Sequence, residues 1–364
     1  MNNKKSIKKI LSLIIIAIVL ISAATFFPGC SYGIDFDKIS ETQTGGTVGP
    51  TAPETATATN TVSDGTANPG KTSVNIGSLQ GPTSIGMIKL HEEKPPLSDD
   101  VTANYDIIPN PEVMVSKLLS GEIDIATLPT NVAAKLYNKG IDYKLAAITG
   151  YGVLYILATD TQVKSWEDLK GKKINVISKG STPDVALRFL MEKNGLEKGA
   201  DIELDYTIAQ VELSQMMIAG REDLAILPEP FVTIVLDKNP ETFIAFDIEQ
   251  EWKKVQEGSP MPMSCVVVKS GLADNNKEAV ETFLNLYEES IDWVNSNVAA
   301  ASELVEKNEI GMDAKTAQQA IPRCNIKFTD ISQAKEIVQD YLQTILDFSP
   351  EDVGGKIPDE NFYF

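Results

Sequence analysis

The sequence predicts an α/β protein of two lobes, each a parallel sheet covered by helices, with a helical C-terminal portion. Three observations carry this. From Ser73 onward, short β-rich runs alternate with amphipathic helical stretches. The segment Gly121-Glu122-Ile123-Asp124-Ile125-Ala126-Thr127-Leu128-Pro129 returns as Gly220-Arg221-Glu222-Asp223-Leu224-Ala225-Ile226-Leu227-Pro228, matching in register at Gly, Asp, Ala, Leu and Pro. After Gly271 the chain reads as nearly all helix.

Expected strands cover residues 74–78, 105–108, 123–128, 143–148, 154–158, 173–178, 202–206, 224–227 and 264–268. Each copy of the repeat follows an amphipathic helix, at 112–120 and 212–219, so a helix, a Gly cap, a buried strand and a Pro-bounded turn occur twice. In the C-terminal part Val280, Phe283, Leu284, Tyr287, Ile291 and Val294 recur at helical spacing.

Ahead of this region the composition changes twice. Lys4, Lys5, Lys8 and Lys9 precede an apolar run over 10–27 that ends in Pro28-Gly29-Cys30, the order of a secretory signal. A small residue followed by Cys is what a lipoprotein signal peptidase reads, so residues 1–29 are expected to be removed and Cys30 to carry lipid. Phe27 and Pro28 depart from the usual pattern, which keeps an uncut anchoring helix as the alternative. Residues 30–72 are rich in Thr, Gly, Pro, Ser and Ala and hold too little apolar surface to offset ordering entropy, so they read as a tether.

The chain carries a net charge of −19, which loss of the four signal lysines takes to −23. Nucleic acid is thereby excluded as a partner, since phosphate backbones call for basic surfaces. The sequence contains one His, His91, expected at the surface, and after Cys30 only Cys265 and Cys324. A zinc site of His and Cys therefore lacks ligands, and no metal or cofactor is expected. Cys265 and Cys324 are open to two readings, a disulfide or a pair of buried free thiols.

The stretch from Gly81-Pro82-Thr83 through the first repeat copy, Trp166-Glu167-Asp168-Leu169-Lys170-Gly171-Lys172, Gly180-Ser181-Thr182-Pro183 and Leu227-Pro228-Glu229-Pro230 resembles the nitrate/sulfonate/taurine and thiamine-pyrimidine group of periplasmic solute-binding proteins. The resemblance implies a type II periplasmic-binding fold that crosses between lobes twice. Lobe one would combine residues 73–157 with 264–364, and lobe two would be 158–263. It also implies capture of a small molecule outside the cell, at the outer face of the membrane, for delivery to an ABC permease and its ATPase.

In open parallel sheets ligands bind beyond the carboxyl ends of the strands, where helix N-termini point. Four turns qualify in this sequence, and they supply Pro82, Thr83 and Ser84; Thr130 and Asn131; Lys179, Ser181 and Thr182; and Glu229. Tyr151 and Gly152 precede the first crossing and complete the expected ligand set. None of the turns contains Arg, and Glu229 would repel a simple oxyanion, which favours an organic molecule with both donors and acceptors. An enzyme or a ligand sensor on the same fold are the alternatives; the first would need a placed acid/base or nucleophile, for which turns with one carboxylate and no His are poor candidates.

Overall fold

The computed structural model describes residues 72–159 and 162–364. The signal segment, Cys30 and the tether up to residue 71 lie outside the described residues. Among the described residues eleven strands form two sheets. The first holds β1 (Thr72–Leu79), β2 (Val101–Ile108), β3 (Ile125–Pro129), β4 (Tyr143–Tyr151), β10 (Pro262–Lys269) and β11 (Ile326–Asp330), in the order β2-β1-β3-β10-β4-β11. The second holds β5 (Leu154–Ala158), β6 (Lys173–Val176), β7 (Glu203–Asp205), β8 (Leu224–Pro228) and β9 (Phe243–Asp247), in the order β7-β6-β8-β5-β9. Each sheet with its covering helices forms a lobe.

The sheets are mixed where parallel ones were expected. β1 runs parallel to β2 and β3, and β6 runs parallel to β7 and β8. β10 and β5, the strands that follow the two crossings, are antiparallel to both of their neighbours. The reason is topological: a strand arriving directly from the other lobe enters the sheet from its far end. The outward crossing occupies only Gly152 and Val153, so β5 pairs in the second sheet although 154–157 was expected on lobe one. Two edge strands, β9 and β11, were not anticipated, and β11 interrupts the C-terminal helical region.

The repeated segment is repeated structure. β3 and β8 have the same burial along their length, four buried residues and a half-buried proline. Each is preceded by a glycine at positive φ, Gly121 at 74° and Gly220 at 61°, a backbone conformation that glycine adopts without steric cost. Each helix end is closed by the same pair of bonds, Gly121 N–H to Leu118 and Glu122 N–H to Lys117 in one copy, Gly220 N–H to Met217 and Arg221 N–H to Met216 in the other.

Two large cores flank the first sheet. One packs β1, β2 and β10 against the helix Lys277–Ser296, whose Val280, Phe283, Leu284, Tyr287, Ile291 and Val294 are all buried. The other continues from the first lobe into the second through the long helix Ile331–Phe348, with Trp252 ringed by Phe189 at 4.9 Å and Tyr341 at 5.6 Å. Cys265 belongs to this second core and Cys324 to the first, and both are buried free thiols, the second of the two readings. His91 corrects a further expectation. It is 5% exposed, and its Nε2 lies 2.8 Å from the Ser78 hydroxyl, inside the first lobe.

Candidate functional site

A cavity of about 130 Å³ lies between the carboxyl ends of β1, β3, β6 and β8. Pro82, Thr83, Ser181, Thr182 and Glu229 stand on its wall, as the strand-end rule suggested. Gln80, Asn110, Ile177, Gln210, Met263 and Ser264 join them without having been singled out. Asn110-Pro111 carried a legible signal, an N-cap followed by Pro at the first helical position. Met263 and Ser264 on β10 carried none, because a strand interior shows no turn grammar.

The other expected residues lie elsewhere. Ser84 turns into the lobe, donating to the Leu79 carbonyl and pairing with Ser78. Thr130 and Asn131 are fully buried behind the wall. Asn131 instead joins the lobes: its amide donates to the Gly180 and Asp352 carbonyls, and its oxygen accepts the Thr182 hydroxyl at 3.1 Å. The Lys179 ammonium sits 5.6 Å over the Tyr206 ring. Tyr151 donates its hydroxyl to Thr329, and burial raises its pKa.

Gly152 is part of the crossing. Its N–H donates to the Met261 carbonyl, and the Glu249 carboxylate, which accepts the Met261 N–H, packs directly against its Cα. A Cβ built on Gly152 would stand 2.2 Å from the Glu249 Cβ, so only glycine fits where the outgoing and returning segments meet.

Besides the short helix Pro82–Gly86, three longer helices among the described residues begin on the cavity wall, Pro111–Leu119, Thr182–Lys193 and Gln210–Ile218. The first is capped by the Asn110 side chain, which accepts the Val113 N–H, whereas the other two have no side-chain cap. Away from the cavity, Asp247, Asp313 and Asp330 cap their helices with their own carboxylates. The turn into Thr182–Lys193 passes through Gly180 at φ 76°. Uncapped N-termini keep free N–H groups and a partial positive charge facing whatever fills the cavity.

Among the described residues Glu229 is the one ionisable side chain on the wall, and it is completely buried. One carboxylate oxygen accepts the Thr233 N–H at 3.1 Å and its hydroxyl at 2.8 Å. The other accepts Nε of Arg323 at 2.7 Å, and the Arg323 terminal nitrogen donates to the Thr233 hydroxyl. Sequence reasoning missed this arginine, which lies 94 residues from its partner and in no strand-end turn. A second ion pair, Arg188 with Asp184 and Asp352, joins the lobes beside Asn131.

Residues 97–311, more than half of the chain, match the family of ABC transporter, phosphonate, periplasmic substrate-binding proteins. The chain belongs to this family of periplasmic substrate-binding proteins. Among solved structures, an ABC transporter protein from Parabacteroides distasonis is similar at 26% identity, with a TM-score of 0.67 over 80% of this chain and 99% of that one. The periplasmic aliphatic sulphonate-binding protein SsuA from Escherichia coli shares the fold at 18% identity, TM-score 0.65, over 79% and 95% of the two chains. The alkanesulfonate-binding SsuA from Xanthomonas axonopodis, bound to MOPS, does so at 16% identity, TM-score 0.61, over 80% and 96%. No curated protein matches the sequence.

As a periplasmic substrate-binding protein, the chain has its cavity where two lobes meet, reached by two crossings. Among the described residues no helix is long and apolar enough to cross a membrane, and no group of three or more His, Cys, Asp or Glu could hold a metal ion.

Proposed function

We propose that this protein is a non-enzymatic receptor for a compact organic solute with an acidic head and a short apolar body, of the phosphonate or sulfonate class. It hands that solute to an ABC permease and ATPase while held at the outer membrane face by a lipid on Cys30. The observation that carries the ligand class is the pair of uncapped helix N-termini, at Thr182 and Gln210, opening on a wall with no basic side chain among the described residues. Such termini attract an anion without an arginine. Leu79, Ile177, Val153, Leu154 and Met263 supply apolar contact for the rest of the molecule. The objection that Glu229 would repel an anion falls away once its carboxylate is paired with Arg323. A cavity near 130 Å³ suits a guest about the size of benzene.

The same wall speaks against an enzyme, because both oxygens of its single acid are already engaged. Melting of the purified domain with methylphosphonate, methanesulfonate, phenylphosphonate, nitrate, sulfate and thymine tests the ligand class. A binder at about 100 times its dissociation constant adds about 2.7 kcal/mol, which raises the melting temperature by roughly 5 °C. Shifts with nitrate or thymine and none with the organic anions would refute it. For the anchor, mass spectrometry of the membrane-extracted protein should find a diacylated Cys30 at the N-terminus, absent in Cys30→Ser; an intact 1–29 segment would refute lipidation.

A further inference from the structure

We propose that Arg323 is a specificity-determining residue of this cleft: it reaches across from the first lobe to neutralise Glu229 as the lobes meet, and so makes the assembled cavity acceptable to an anion. Its ligand arm rests on the anionic-head reading above. The geometry separates two kinds of support around the carboxylate. Thr233 lies four residues along the same chain segment and holds one oxygen whatever the other lobe does. Arg323 ends the short turn Ile321–Arg323 that leads into β11 of the first sheet, while Glu229 follows β8 of the second. Parting the lobes therefore removes the guanidinium and leaves the threonine.

The two partners differ in exposure in the way such a device requires. Glu229 has no contact with solvent, whereas the Arg323 side chain keeps 39% of its surface exposed and stays hydrated when released. Arg323 forms the ion pair with Glu229, and among the described residues the cavity wall has no basic residue of its own to replace it. With the lobes apart the wall presents a bare acid; with them together its charge is balanced and the uncapped N-termini of Thr182–Lys193 and Gln210–Ile218 dominate. The sign of the charge that the cavity accepts is thus set by a residue that does not line it.

The test uses Arg323→Met, Arg323→Lys, Glu229→Gln and the double variant Arg323→Met/Glu229→Gln, each first checked for native circular dichroism. Methylphosphonate is the anionic probe and tetramethylammonium the cationic one, both read by calorimetry and melting shift. Wild type should bind the anion alone. Arg323→Met should lose at least about tenfold in methylphosphonate affinity, as expected when a buried polar group is left without its partner. The double variant should recover most of that loss, and Arg323→Lys should be intermediate. A staple with no part in selectivity would not be rescued by removing the second charge, so a double variant as weak as Arg323→Met overturns the proposal, as does an Arg323→Met that binds like wild type. If wild type binds neither probe, the ligand class fails on its own, and ligand-free small-angle scattering decides the bridge. Arg323→Met and Glu229→Gln should each enlarge the radius of gyration and the double variant should add nothing; an unchanged radius overturns the proposal.

Discussion

Replacing Gly152 with alanine should damage the crossing far more than a single methyl suggests. The new Cβ would lie 2.2 Å from the Glu249 Cβ, 2.4 Å from its Oε2 and 2.6 Å from its Cδ. Carbon atoms in contact prefer about 3.5–4.0 Å, so a rotamer change at Glu249 cannot relieve the clash and the helix Ile248–Val255 must retreat by more than an ångström. Overpacking of this kind costs about 1–3 kcal/mol. The retreat also breaks the carboxylate bond to the Met261 N–H, worth about 1.5–3 kcal/mol for a charged acceptor. A combined loss of about 3–5 kcal/mol lowers the melting temperature by roughly 6–10 °C or more in a protein of this size. Differential scanning calorimetry reads this directly. Glu249→Ala in the same background should not restore stability, because alanine keeps the offending Cβ, whereas Glu249→Gly should restore part of it. A Gly152→Ala melting point within about 1 °C of wild type, or full rescue by Glu249→Ala, would refute the reasoning.

Other outcomes follow from individual contacts. Burial, opposed by Asp106 and aided by Lys94, lowers the His91 pKa from 6.5 to about 4, so the unfolded chain takes up the proton first as pH falls. Stability is then full above about pH 6.5 and loses up to roughly 3 kcal/mol between 6.5 and 4, a loss that His91→Asn should flatten in urea titrations. Burial pushes the Cys265 thiol up to about 12 and Cys324 well above its usual value, so both should resist alkylation in the native protein. Both should label once it is unfolded without reductant; protection that only a reductant lifts would reveal a bond. Asn131→Ala removes two hydrogen bonds between the lobes and one within the first lobe, and should weaken ligand binding by about 1–3 kcal/mol in calorimetry without a direct ligand contact.

Local grammar made much of this protein legible. The repeat announced β3 and β8 because a glycine at positive φ and a bounding proline are sequence-encoded stops. The apolar stripe of Lys277–Ser296 was equally plain, since one face of that helix is buried in the first-lobe core against the short helices Pro82–Gly86 and Ile88–Glu93 and β11. β9 and β11 escaped because edge strands are half-covered and show no clean alternation. Of the cavity, the turns at Pro82, Ser181 and Glu229 were readable as helix starts that follow strands. The Arg323 pairing was not, because a contact across 94 residues leaves no periodic trace. Gly152 and Asn131 show a further limit: position near the cleft was visible, but whether a residue faces the solute or joins the protein to itself depends on the direction of the side chain.

The aromatic seam of Phe189, Trp252 and Tyr341 has a mechanical consequence. It lies in an interior that both lobes share, continuous from Leu128 and Ile148 to Ile174 and Leu187, so full separation would strip apolar surface along its whole length. Opening is therefore restricted to a pivot about this seam, as a jaw turns on its joint. Such a lever converts a rotation of few degrees at the joint into a wider gape at the teeth, here the turns around Gln80 and Gln210. The joint also limits how far the mouth can open, and with it the bulk of the solute that can pass.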